Sequence, residues 1–351
     1  GLPAGLSISR DNLTGVMARR RRGFGRGDRK NVERDELTLW GGIRNGLTTG
    51  GPVGISVDNA EWEHWDGVMN PWSISPAADR EKAVTAPRPG HADLPGSIKF
   101  GVENMRNILE RASARTTAPR TLAGALAALV LKELGVTVRS AVESIGGVAA
   151  SLPAGDDEWR RAALSELGVA REEDEPALKA RITAAAEEET SLGGTFVVSV
   201  TGLPAGIGSF TEWDGRLDGR LAGALMAIPA VKGVEVGDGF RSAGLPGRDV
   251  HDPIFVEDGQ WTRKTNHAGG IEGGMSTGQE IFIRAAMKPI PTMRKGLLSF
   301  DTVSGKPSAA HSERSDVCAV PAACVVAEAM TAWIVGSMAA EQFGSDRLQD
   351  L

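Results

Sequence analysis

Apolar positions alternate with polar ones, with β-branched residues enriched, in five segments. The pattern predicts strands at 36–43 (ELTLWGGI), 53–57 (VGISV), 136–143 (VTVRSAVE), 195–202 (TFVVSVTG) and 281–287 (IFIRAAM). Three longer segments follow the helical period. The first, 120–134 (RTLAGALAALVLKEL), is apolar almost all round and closed by Gly135, so it is predicted to be a helix buried between layers. The others are 216–227 and 321–342, the latter with Pro321 suited to a first helical turn. Residues 156–190 alternate charge and alanine and read as a solvated helical excursion. Glycine-dense turns separate these elements, and the interleaving of strands with buried helices predicts an α+β fold.

With 351 residues and 41% hydrophobic content, the chain can bury a substantial core, in one large domain or two. No apolar run of spanning length and no signal-peptide pattern stands out, so neither a membrane nor secretion is expected. The formal charge is −6, and residues 156–190 account for it, with eleven acids against five bases; the remainder balances. Cys318 and Cys324 form no CxxC pair, which fits a reducing, cytoplasmic compartment, and no histidine and cysteine spacing suggests a metal site. The opening GLPAGL resembles a strand-to-turn junction, so further sequence is expected upstream of Gly1.

The densest chemistry lies in RRRRGFGRGDR, Arg19 to Arg29, with six arginines and glycines at 23, 25 and 27. Guanidinium forks match phosphate and carboxylate oxygens, and the glycines allow close backbone approach. A small multiply charged anion, a solvated basic run and a nucleic-acid patch all suit such a loop. The neutral remainder of the chain disfavours the last, because duplex binding needs a broad basic face.

Other segments carry chemistry beside plainer readings. PRPGHAD frames His91 with Asp93 two residues on, either an acid–base histidine or one bonded to backbone. LERASARTTAPR supplies Arg111, Arg115, Arg120 and Ser113 before the buried helix, an anion site or a helix cap. AIPAVKGVEVGDGF joins a helix end to a strand. TNHAGGIEGGMSTG suits a backbone-lined ligand wall. AAMKPIPT ends a strand with Lys288 beside proline, and HSERSDVCAVP places Arg314 and Asp316 before the last helix. Walker A and dinucleotide glycine patterns are not satisfied.

Taken in order, RRRRGFGRG, RPGHAD, RASAR, AIPAVKGVEVGDGF, NHAGGIEGG, AAMKPI and RSDVCAVPAA resemble the chorismate synthase family, actinobacterial members above all, from residue 19 to about residue 330. The resemblance implies a lyase of the shikimate pathway of aromatic biosynthesis. It would eliminate phosphate and a proton from 5-enolpyruvylshikimate 3-phosphate in a 1,4-anti sense, giving chorismate. It also implies reduced FMN as cofactor, NADPH as a reductant in some members, a homotetramer, and a single domain with central helices sandwiched between two antiparallel sheets.

Residue by residue, the resemblance assigns Arg20, Arg26 and Arg115 to substrate or NADP, and His91 and Asp316 to proton handling. It assigns Arg111, Ala112, Ser113, Pro229, Ala230, Gly273, Lys288, Pro289, Ile290, Pro291, Thr292 and Arg314 to the flavin. The family's opening GESHG segment, with a second histidine, has no counterpart after Gly1, so the chain is expected to be N-terminally truncated. Thr116, Pro119, Leu94 and His267 also depart from the family pattern. The alternative reading is an impaired homologue that binds FMN or anions without turnover.

Overall fold

The computed structural model describes residues 2–27, 35–313, 315–344 and 346–350. Arg29 and Arg314 lie outside them. A five-stranded antiparallel sheet forms the first layer. Its order runs Val148–Ala149, Thr137–Ile145, Gly194–Thr201, Ile281–Met287, Val231–Val236. Successive side chains point to opposite faces of the sheet, and along Gly194–Thr201 both faces are covered, so that burial there is continuous. Val142, Phe196, Val198 and Ile283 point into the main core, while Ala141, Val197 and Phe282 pack on Trp159 at the opposite face.

The inner face is covered by the Val320–Phe343 helix together with Leu217–Met226. Val320–Phe343 is long and apolar enough to cross a membrane by length and composition, which corrects the expectation that no apolar run has spanning length. Here it is a core helix, with Val326, Ala327, Ala332 and Val335 buried. Its one carboxylate within the buried stretch, Glu328, accepts a forked pair of bonds from Arg19 at 2.6 and 2.9 Å and one from Ser140 at 2.8 Å. Burying that charge is tolerable only with such partners.

Thr117–Glu133 packs directly on this helix. Gly124 explains how closely: a Cβ there would lie 2.0 Å from the Ala329 carbonyl oxygen, so the backbones could not approach with any side chain in that place. Gly135, at φ +74°, closes the helix as expected, and the Val136 amide returns to the Leu131 carbonyl.

Beyond Thr117–Glu133 lies a second apolar cluster formed with Arg10–Arg21 and the hairpin segments Leu37–Gly41, Ile43–Arg44, Leu47–Thr48 and Gly54–Val57. Helices therefore lie between two β layers, although the second is assembled from two-stranded pieces among the described residues. Arg10–Arg21 corrects the reading of Arg19–Arg29 as one loop. Ser9 caps this helix, and Arg19, Arg20 and Arg21 belong to its last turn. The acidic excursion is also corrected. It forms Asp156–Leu164 and Glu175–Glu187, and Trp159, Leu178, Ile182 and Ala185 are buried, so it is solvated on one side only.

Candidate active site

One cavity of about 620 Å³ opens where the helix ends and strand ends meet. Its walls come from the segments 20–26, 59–69, 88–92, 109–117, 228–230 and 287–292, from Glu313, and from the segment 315–326. That volume lies within the usual range for ligand sites. The walls combine small apolar side chains, among them Ala112, Ala230 and Val326, with the cations Arg20, Arg26, Arg88, Arg115 and Lys288.

The glycine-arginine loop enters from the helix end. Gly25 takes φ +79°, a left-handed conformation that glycine permits. This turns Arg26 back so that its Nη1 donates to the Arg20 carbonyl at 2.8 Å and its Nε to Asp316 Oδ2 at 3.1 Å. The Gly27 amide donates to the other oxygen of Asp316, also at 3.1 Å. Arg115 donates to the buried carboxylate of Asp35 at 3.1 Å, and Arg20 and Arg21 also approach that carboxylate, at 3.9 and 3.7 Å.

His91 also lines the cavity. Its Nδ1 lies 2.7 Å from Asp93 Oδ1, and a carboxylate only accepts, so the hydrogen is on Nδ1; Nε2 is then the accepting nitrogen, with Arg88 Nη2 3.4 Å away. Asp93 opens the Asp93–Phe100 helix and has no solvent exposure. Burial would raise its pKa, but hydrogen bonds from His91 and Arg88 outweigh burial and hold it well below the usual carboxylate range. Arg88 grips both Asp93 oxygens at 2.7 and 3.0 Å and donates to Thr292 Oγ1 at 2.8 Å, tying the histidine loop to the 288–292 segment.

Lys288 follows the last strand residue, and its Nζ donates to the Gly90 carbonyl at 2.7 Å. It meets no carboxylate among the described residues. Burial first, and Lys232 second, push its pKa down. A cation so placed favours an anionic ligand.

Of the residues assigned by resemblance, His91, Asp316, Arg20, Arg26, Arg115, Ala112, Ser113, Pro229, Ala230, Lys288, Ile290, Pro291 and Thr292 line this cavity. Arg111 and Pro289 border lining segments, but both are exposed and neither lines it. Gly273 sits elsewhere. Gly273 and Gly274 take φ +58° and +85° in the two-residue turn between Ile271–Glu272 and Met275–Ser276, so the glycine segment there serves a tight hairpin instead of a ligand wall. Arg314 is outside the described residues.

Sequence reasoning missed several lining or supporting residues. Trp62, Trp65 and Met69 project from the Trp62–Met69 helix and form an apolar wall. Their i, i+3, i+7 spacing is a helical signal that was readable. Arg106 lies 5.2 Å from the Trp65 ring centroid and donates to Glu313 at 2.7 Å, which fixes that wall. Asp35 gave no signal, because its arginine partners come from two other parts of the chain, Arg20 and Arg21 from one and Arg115 from the other.

The comparisons agree with this geometry. Residues 1–339 match the family described as chorismate synthase. Chorismate synthases from Brevibacillus brevis and Desulforudis audaxviator are 46% and 48% identical, covering 100% of this chain and 92% and 90% of the relatives. One from the actinobacterium Paenarthrobacter aurescens is 47% identical over 100% of this chain and 90% of the relative. A chorismate synthase crystal structure superimposes with a TM-score of 0.78 at 34% identity, covering 100% of this chain and 89% of that one. With its sequence matched over its whole length and its fold shared with a solved member, the chain belongs to the chorismate synthase family.

Proposed function

We propose that the chain converts 5-enolpyruvylshikimate 3-phosphate to chorismate, in a cavity that substrate shares with reduced FMN. The carbon–oxygen bond to phosphate and one carbon–hydrogen bond break, inorganic phosphate and a proton leave, and a new carbon–carbon double bond forms. The observation that carries this reading is the convergence of His91, Asp316 and five cations on one cavity with an apolar wall.

The substrate presents one phosphate and two carboxylates, and Arg26, Arg115 and Arg88 offer forked donors to match them. Asp35 holds Arg115, Asp93 holds Arg88 and Asp316 holds Arg26, so their geometry is fixed before a ligand arrives. His91, aligned through Nδ1 by Asp93, holds a proton at Nε2 or releases one there. Asp316, fixed by Arg26 and the Gly27 amide, is the second proton-handling group, as an acceptor. Trp62, Trp65 and Met69 keep water from the reacting atoms.

The cavity residues suit FMN. Ala112, Pro229, Ala230 and Ile290 offer apolar surface to a planar ring, Ser113 a hydroxyl, and Lys288 an uncompensated cation. When bound, the reduced flavin supplies the electron-rich ring that this elimination requires. NADPH is the reductant we assign to it.

We further read residues 1–351 as one domain, because both apolar clusters include the Thr117–Glu133 helix. We read the assembly as a homotetramer, supported by the exposed apolar Ile254, Val256 and Trp261 on one hairpin. A cytoplasmic location is consistent with two buried, unpaired cysteines. The test is chorismate formation from 5-enolpyruvylshikimate 3-phosphate with chemically reduced FMN under anaerobic conditions, alongside flavin-fluorescence titration with and without substrate. Turnover, with FMN bound more tightly in the presence of substrate, is expected. Binding of both ligands without any chorismate would favour the impaired homologue.

A further inference from the structure

The arginine loop rests on the acidic helical excursion, and the contact is unusually close. A Cβ on Gly25 would lie 2.4 Å from Ile182 Cγ2, so that methyl group fills the space a side chain would need. Ile182 is 1% exposed, midway along Glu175–Glu187. Phe24, one residue before, packs on the same core, and Lys179 lies 5.9 Å from its ring centroid. Lys179 is held in turn by Glu175 at 2.8 Å.

The other half of the excursion holds the loop's entry. Arg22 Nη1 donates to the carbonyls of Ala163 and Leu164, at 3.2 and 3.3 Å. These belong to the C-terminal end of Asp156–Leu164, where carbonyls lack helical partners and the helix dipole is negative. On the far side, the Gly25 carbonyl accepts from the Val317 amide at 2.8 Å, next to Asp316. Ile182 and Lys179 do not line the cavity, and Arg26, which does, lies one residue beyond Gly25.

We propose that the acidic excursion is a positioning element for substrate: Ile182 and Lys179 set the path of the loop through Gly25 and Phe24, and so set the reach of Arg26. This rests on the substrate reading given above. Forked guanidinium contacts are sensitive to displacements of about 1 Å, so a loosened loop should weaken anion binding more than it changes the chemical step.

The experiment compares Ile182→Ala, Lys179→Met, Gly25→Ala and the Gly25→Ala/Ile182→Ala pair with the parent. Kinetics with reduced FMN give KM and kcat, and calorimetry without flavin gives the Kd for 5-enolpyruvylshikimate 3-phosphate. Thermal melting identifies any variant that fails to fold. Ile182→Ala should raise KM and Kd about tenfold while kcat stays within about twofold, and Lys179→Met should do so more weakly. Gly25→Ala should weaken binding further, and the paired substitution should recover about threefold or more of that loss, the sign of direct coupling.

Hydrogen exchange at the amides of residues 23–27 and Val317 reads the loop independently of turnover. It should speed up about tenfold in Ile182→Ala. Unchanged exchange with unchanged Kd in both Ile182→Ala and Lys179→Met would overturn the proposal. So would strict additivity in the pair. Failure of the substrate reading itself would appear in the parent chain, as no binding and no chorismate, and in that event the exchange rates still decide whether the excursion sets the loop.

Discussion

Arg26 and Asp316 are bound to each other, Nε to Oδ2 at 3.1 Å, so the cation proposed for substrate and the acid proposed for proton transfer share one bond. An incoming phosphate or carboxylate must compete with Asp316 for the guanidinium. Asp316→Asn should therefore lower kcat by about 10²–10⁴-fold while leaving KM unchanged or lower. Arg26→Gln should weaken substrate binding by about 1.5–3 kcal/mol, and Arg26→Lys should restore only part of it, lacking the planar fork. Steady-state kinetics decide the matter. A KM that rises in Asp316→Asn would remove the competition.

His91→Ala should lower kcat by about 10²–10⁴-fold with a smaller effect on KM. Asp93→Asn tests the alignment. An amide can offer an N–H to Nδ1 and so favour the other tautomer, which should reduce kcat by roughly 10²-fold or more even with His91 present. It also leaves Arg88 buried without its carboxylate, at a cost of about 3–5 kcal/mol in urea unfolding. Because the folded-state pKa of Asp93 is depressed, its stabilisation is present above the ordinary carboxylate pKa and fades as pH falls below it. A kcat in Asp93→Asn within a few-fold of the parent would make Asp93 a packing residue alone.

Lys288 gives an alkaline signature. Burial and Lys232 lower its pKa, so it loses its proton at a lower pH than an ordinary lysine. Affinity for the phosphate-bearing substrate should then begin to fall below the normal lysine range. Lys232→Gln removes the second of these causes and should move the onset to higher pH. Isothermal titration across the alkaline range checks both, and an onset unmoved in Lys232→Gln would leave burial as the whole cause.

Ala230 lines the cavity at φ +70°, a left-handed conformation rare for any residue with a Cβ. Its carbonyl accepts from the Lys288 amide at 2.9 Å, so the strained backbone locates the cavity's lysine. Ala230→Val should destabilise by about 1–3 kcal/mol, because branching at Cβ aggravates the strain, whereas Ala230→Gly should be tolerated. Urea unfolding separates them. Equal midpoints for Val and Gly would show that the backbone relaxes freely at this position.

The long periodic elements were legible because their patterns were local. The strands at 137–145, 194–201 and 281–287 and the helices at 117–133 and 320–343 match their expected spans within a few residues. Arg10–Arg21 was not legible, because its mean character is polar and only Leu13, Met17 and Arg20 are buried. The excursion misled for the opposite reason. Its many charges mask a narrow apolar stripe of Leu178, Ile182 and Ala185 that only the neighbouring loop and sheet reveal. At the site, the resemblance named His91, Arg26 and Asp316, and all three line the cavity. Asp35 and Arg106 were not legible, because their roles come from partners distant in sequence.

The helix at the centre of this molecule is made after every strand of the sheet that it covers. Val320–Phe343 covers the inner face of the sheet and fronts the Thr117–Glu133 helix. When the last strand, Ile281–Met287, has been made, the Leu217–Met226 helix is already present but Val320–Phe343 is not, so part of the sheet's inner face stays apolar and uncovered until that helix follows. Chaperone dependence and sensitivity to premature termination follow from the order in which the layers arrive, independently of any chemistry in the cavity.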